Sequence, residues 1–243
     1  MTGSLQDSGN QYMPMIEVKN ILTVVTDLQN RFHAKAFIFD LDGTLLDNNQ
    51  YHLLAWKQYL KEKGLEISDA DYRKNVNGRT NKDVIEYIYQ RKMTDAEAMV
   101  FAQEKEAVYR ELYAADIKPV AGLIEFLEAA RLLNIPMAIA TSGIQVNIDF
   151  MFDHVPIRQF FSVIVNSAHI SKGKPDPEIY EKAAALLNIP ADNCLVFEDA
   201  VVGVQSAKAA GMPVVAILTT HPAEELSKAD LIVDNFECTS FPS

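Results

Sequence analysis

Residues 35–52 read KAFIFDLDGTLLDNNQYH. Ala36, Phe37, Ile38 and Phe39 form an apolar run with the length and composition of a buried strand. The run ends on a carboxylate, Asp40. A second, Asp42, follows two residues later, ahead of Gly43 and Thr44. On an extended chain these two side chains would point the same way, and a turn at Gly43 changes the local geometry. Acids at the mouth of a core strand are costly to desolvate, so the pattern asks for a chemical reason.

Outward from this strand the chain changes character twice. From about Tyr51 to Ala115 it is helix-like throughout, in the segments YHLLAWKQYLKEKG, NKDVIEYIYQRK and TDAEAMVFAQEKEAVYRELYAA. Thr94 with Glu97 gives the last segment a capping-box start. Strand signals then return, alternating with helices: PMAIATS, FSVIVNS, CLVFED, PVVAIL and a short ADLIVD. Strands separated by helices predict an α/β fold with a doubly wound parallel sheet, and the helical stretch predicts an all-helical insertion after its first strand. The expected division is a core at 34–50 and 117–243, a helical domain at 51–116, and an N-terminal part at 1–33. Within that last part, residues 1–14 are polar and turn-rich and read as a disordered tail. Val18, Ile21, Leu22, Val25, Leu28 and Phe32 then follow at the spacing of an amphipathic helix.

In open parallel sheets the site lies beyond the carboxyl ends of the strands. The first strand ends in Asp40 and Asp42, the next in Thr141, Ser142 and Gly143, the third leads into SKGKPDPE with Lys172 and Lys174, and the fourth ends in Glu198 and Asp199. Crowded carboxylates raise one another's pKa unless a cation joins them. All-oxygen ligands suit Mg²⁺. Hydroxyls, glycine amides and a lysine suit phosphoryl oxygens. The set points to metal-assisted phosphoryl transfer.

The 243 residues carry a formal net charge of −11, which disfavours nucleic acid or an anionic membrane as partner. The two cysteines, Cys194 and Cys238, lack zinc-site spacing and suit a reducing cytoplasm. No signal peptide or membrane-length apolar run is evident.

DLDGT at 40–44, ATSG at 140–143, KP at 174–175 and FEDAVVGVQSAKAAGM at 197–212 together resemble the haloacid dehalogenase superfamily. The helical insertion is similar to the cap of its beta-phosphoglucomutase-like branch. The resemblance implies that Asp40 is a nucleophile taking the phosphoryl group and that Asp42 is the general acid and base. Thr141 and Lys174 would hold phosphoryl oxygens, helped by amides near Leu41, Asp42, Ser142 and Gly143. Asp40, the Asp42 carbonyl and Asp199 would bind Mg²⁺, with Glu198 in or just behind the ligand shell. His52 and Lys105 match a cap pair that couples closure to the general acid, whereas Trp56 reads as cap core. In the mutases a cap loop carries a lysine and an arginine that grip a distal phosphate; here Asn77 and Asn81 stand in their places, and Arg79 or Lys82 could substitute by a shifted route, Arg79 being the expected substrate-binding residue. The implied function is a Mg²⁺-dependent phosphatase of small, phosphosugar-like metabolites. Beta-phosphoglucomutase and pyrophosphatase activities are the alternatives, in a cytoplasmic monomer or weak dimer.

Overall fold

The computed structural model describes residues 15–237. Residues 1–14 and Cys238 lie outside the described residues, as does the side chain of Val18. Six parallel strands form one sheet: β1 (Ala36–Phe39), β2 (Met137–Ala140), β3 (Val163–Val165), β4 (Cys194–Glu198), β5 (Val214–Ile217) and β6 (Leu231–Val233). Their order, β3-β2-β1-β4-β5-β6, reverses direction between β1 and β4. Such a switch point opens a crevice at the strand ends. Phe39 pairs with Phe197, so Asp40 and Glu198 leave adjacent strands at the same level.

Side-chain alternation divides the core. Phe37 and Phe39 face one layer, packed with α1 (Met15–Phe32), α6 (Leu123–Leu132) and α7 (Gln145–His154). Ala36 and Ile38 face the other, under α8 (Glu178–Leu187) and α9 (Val201–Ala209). Val25 and Leu28 of α1 are buried, as the amphipathic spacing predicts. Both faces are covered, which is why the strands read as continuous apolar runs.

The insertion after β1 is helical, as expected: α2 (Asn49–Glu62), α3 (Asp69–Asp71), a π-helical turn (Tyr72–Val76), α4 (Asn81–Tyr89) and α5 (Asp95–Tyr113). It has its own apolar centre, built on Trp56, Tyr59, Leu60, Val84 and Ile85. The Thr94–Glu97 capping box forms at the start of α5. Helix α2 starts at Asn49, two residues ahead of the first periodic residue, so Asn48 and Asn49 face the sheet's crevice rather than a loop. The π-helical turn has no counterpart in the apolar periodicity. Among the described residues no helix is long and apolar enough to cross a membrane.

Candidate active site

Asp40 is buried at the end of β1, and the Lys174 ammonium donates to its Oδ1 at 2.6 Å. The same ammonium donates to Glu198 Oε1 at 2.5 Å. Tyr180 on α8 also donates to that oxygen, at 2.9 Å, and its ring lies under the ammonium. Glu198 Oε2 accepts from the amides of Asp199 and Ala200, both at 2.8 Å, so this carboxylate is held on both oxygens. Gly203 in the first turn of α9 makes room for it; a methyl there would overlap the carboxylate. Gly43 does the same for Asp199 and has φ +79°, a conformation in which a side chain is strained.

Asp40, Glu198 and Asp199 bring ligand oxygens within 4.8 Å of one another. Burial pushes Asp40 up to about 8 against the pull of Lys174, with Glu198 and Asp42 adding repulsion. Burial also holds Asp199 well above the aspartate range, reinforced by Glu198 and Asp40. One ammonium does not balance this charge. The donors are all oxygen and buried, so the residues present fit a hard divalent cation.

Asp42 points toward the cap. Asn48 Nδ2 donates to its Oδ1 at 2.6 Å and also reaches the Tyr109 hydroxyl at 2.7 Å. His52 Nε2 stands 3.2 Å from the same carboxylate oxygen, without the alignment of a hydrogen bond. The other ring nitrogen, Nδ1, receives a hydrogen bond from Lys105 at 2.9 Å. In the neutral ring the proton therefore sits on Nε2, facing Asp42. Lys105 is buried and also donates to Glu106 Oε1 at 2.9 Å. Burial pushes Asp42 up, but His52, Asn48 and the Lys105 charge outweigh it and hold the carboxyl below the ordinary aspartate value. His52 and Lys105 are thus in direct contact.

The remaining expected residues close the ring. Thr141 is buried beyond β2, where its hydroxyl oxygen accepts from the Gly143 amide at 2.9 Å. Ser142 donates its hydroxyl to the Gly78 carbonyl of the cap at 2.9 Å, a contact the motif alone does not reveal. Leu41 is buried just beyond Asp40, and its carbonyl shapes the turn by accepting from the Leu45 amide at 2.8 Å. Arg79 is half-buried with no ion-pair partner among the described residues. A pocket of about 50 Å³ joins these groups, walled by Asp40, Asp42 and Thr141 below and by His52, Arg79 and Lys105 above. Lys82 instead pairs with Asp95 on the outside of the cap, and Lys172 with Asp176 on the core.

The sequence model of haloacid dehalogenase-like hydrolases matches residues 37–217. The chain belongs to that family. It is 29% identical over 215 residues to the validoxylamine A 7'-phosphate phosphatase of Streptomyces hygroscopicus subsp. limoneus, covering 86% of this chain and 97% of that one. It is 32% identical over 208 residues to the beta-phosphoglucomutase of Bacillus subtilis, covering 82% and 88%. A crystal structure of a haloacid dehalogenase hydrolase, family IA, variant 3, from Entamoeba histolytica superposes with TM-score 0.74 at 35% identity, covering 83% of this chain and 93% of that one. The chain is therefore a haloacid dehalogenase-type enzyme of the phosphatase and phosphomutase branch.

In this hydrolase several site residues escaped the sequence reading. Asn48 and Asn49 open α2, and Asn49 Nδ2 donates to Asp199 Oδ2 at 2.8 Å. Glu106 is buried and accepts from Asn81 and Asn147, both at 2.8 Å. His221 follows β5 and reaches the cap. A signal existed for the last: reading the end of the fifth strand, as for the first four, leads to Thr219, Thr220 and His221. Glu106 had none, because an acid beside a lysine on a helix is an ordinary surface pattern.

Proposed function

We propose that this enzyme is a Mg²⁺-dependent phosphatase of small phosphorylated metabolites that works through an aspartyl phosphate on Asp40. The observation that carries the reading is the division of labour between two neighbouring carboxylates. Asp40 is held by the Lys174 ammonium at the metal side, whereas Asp42 is held by Asn48 and faces His52 at the cap side. An Asp40 oxygen attacks phosphorus, the ester P–O bond breaks, and the leaving oxygen takes a proton from Asp42. A water oxygen then attacks the same phosphorus and gives its proton to Asp42. The P–O bond to Asp40 breaks, and inorganic phosphate departs. The Asp42 carboxyl lies below its ordinary value, which favours the unprotonated form that the second step starts from and opposes the protonated form that the first step uses.

Lys174, Thr141 and the amides around Leu41, Ser142 and Gly143 serve the phosphoryl oxygens in this reading. Asp40, the Asp42 carbonyl and Asp199 would hold Mg²⁺, with Glu198 behind them, since its oxygens are taken by Lys174, Tyr180 and two amides. The cation would neutralise charge at the phosphoryl group. Residues 51–116 act as a cap over a core of 34–50 and 117–243, and His52, Lys105 and Arg79 face the substrate from it. The buried Cys194 thiol fits a cytoplasmic setting.

The test compares wild type with Asp40→Asn in Mg²⁺. Phosphate release is followed from a panel of phosphosugars, other phosphoesters and pyrophosphate. Conversion of beta-glucose 1-phosphate to glucose 6-phosphate is followed with a bisphosphate primer. Release that vanishes in Asp40→Asn is expected. Efficient isomerisation with little release would replace this reading with a phosphomutase.

A further inference from the structure

The cap is fastened to the core by a line of side chains that includes neither Asp40 nor Asp42. Asn77 is buried at the end of the π-helical turn. Its Oδ1 is 2.9 Å from His221 Nε2, and its Nδ2 donates to Asn49 Oδ1 at 2.9 Å. Asn49 in turn donates to Asp199 Oδ2 at 2.8 Å and to Thr220 Oγ1 at 2.5 Å. On the far side, His221 Nδ1 is 2.7 Å from Glu225 Oε2. Glu225, His221, Asn77, Asn49 and Asp199 thus form a line of polar contacts from the surface to a strand-end carboxylate. The next residue, Gly78, gives its carbonyl to Ser142, and a methyl at its Cα would press on Ala200 and Val202.

Each end of the Asn77 carboxamide makes one contact in this line, through Oδ1 to His221 and through Nδ2 to Asn49. Its oxygen can be satisfied by His221 only when the cap lies on the core. We propose that His221 is a positioning residue that latches the cap shut through Asn77. The enzyme thereby closes on small monophosphates without needing a second anion on the substrate to pull the cap down. This substrate class rests on the phosphatase reading above; the latch itself does not. Nearby Arg79 stays available for whatever the monophosphate carries beyond its phosphoryl group.

The experiment uses the full chain, loaded with Mg²⁺. Cap-to-core distance is measured between spin labels at Met99→Cys and Leu186→Cys, whose parent residues are 61% and 64% exposed, in a Cys238→Ser background. Wild type, His221→Ala and His221→Gln are compared without substrate and then assayed on glucose 6-phosphate. The glutamine keeps an N–H donor for Asn77. We expect a single short distance in wild type, a population at longer distance in His221→Ala, and restoration in His221→Gln. For glucose 6-phosphate, kcat/KM should fall roughly tenfold in His221→Ala, the worth of one buried hydrogen bond, and recover in His221→Gln. An unchanged distance distribution in His221→Ala, or a wild type that is already mostly separated, overturns the latch. Wild type that closes but releases no phosphate from any ester overturns the phosphatase reading while leaving the latch standing. Loss of kcat/KM in both variants with the short distance retained assigns His221 to the chemistry and overturns a latching role.

Discussion

Lys174 stands between Asp40 and Glu198, and its own burial would favour losing its proton. The two acids outweigh that burial and hold the ammonium well above the ordinary lysine value. Removing it therefore leaves two buried carboxylates face to face. Lys174→Met should abolish phosphate release and destabilise the fold by about 3–5 kcal/mol in urea unfolding at pH 7. A melting curve indistinguishable from wild type would show that the pair relaxes without it. Cys194 shows the opposite use of burial. Its thiol is pushed up to about 11 by desolvation, with Asp192 adding repulsion. Thiolate is the reactive form, so iodoacetamide at pH 8 should label Cys194 only after unfolding, as mass spectrometry of the labelled peptide will show. At this scale the sequence already named the acids and the lysine. It did not name Asn48, Glu106 or His221, because what makes them matter is their neighbours from elsewhere in the chain.

Helix α8 shows how an element positions a buried lysine at the strand ends. Glu178 in its first turn accepts from the amides of Ser171 and Lys172, both at 2.9 Å, and so pins the loop that delivers Lys174. Bonds from Lys182, Ser171 and these amides lower its carboxyl from the ordinary 4.5 to about 2. A depressed pKa stabilises the fold above the unfolded value and loses that contribution as pH falls through the folded one. The melting-temperature gap between wild type and Glu178→Gln should therefore be full at pH 7 and close between pH 4.5 and about 2. A gap that stays constant down to pH 2 would mean that the carboxylate charge is not what holds the loop. In the cap, the α5 capping box was legible from Thr94 and Glu97 alone, since both partners are local. Thr94→Ala should cost about 1 kcal/mol by thermal unfolding. The start of α2 was not legible, because Asn48 and Asn49 carry polar side chains whose partners lie in β1's loop, α5 and the β4 end.

At the scale of the whole molecule, the sheet's switch point collects acids from two strands that lie more than 150 residues apart in sequence. The cluster of Asp40, Glu198 and Asp199 carries more negative charge than Lys174 balances. Binding a divalent cation there should stabilise the folded state by mass action, about 2.7 kcal/mol at a hundredfold excess over Kd. Mg²⁺ should accordingly raise the melting temperature, EDTA should reverse the rise, and Asp199→Asn should remove most of it. If Asp199→Asn keeps the full Mg²⁺-dependent rise, the cation binds elsewhere.

Strand runs, helical periods and the acids at strand ends are local patterns, and local patterns survive in a linear text. They sufficed for the parallel sheet, the helical insertion and which acids, hydroxyls and lysine stand at the strand ends, since backbone geometry alone determines which residues leave a strand at its carboxyl end. The closed arrangement of cap on core belongs to the folded molecule. Asn77 reads as a loop asparagine until His221, 144 positions later, is brought to 2.9 Å from it. Glu106 reads as a surface acid until Lys105, Asn81 and Asn147 surround it. A hydrogen bond acts over about 3 Å of space and is indifferent to separation along the chain, so such partners become visible only when the fold has placed them.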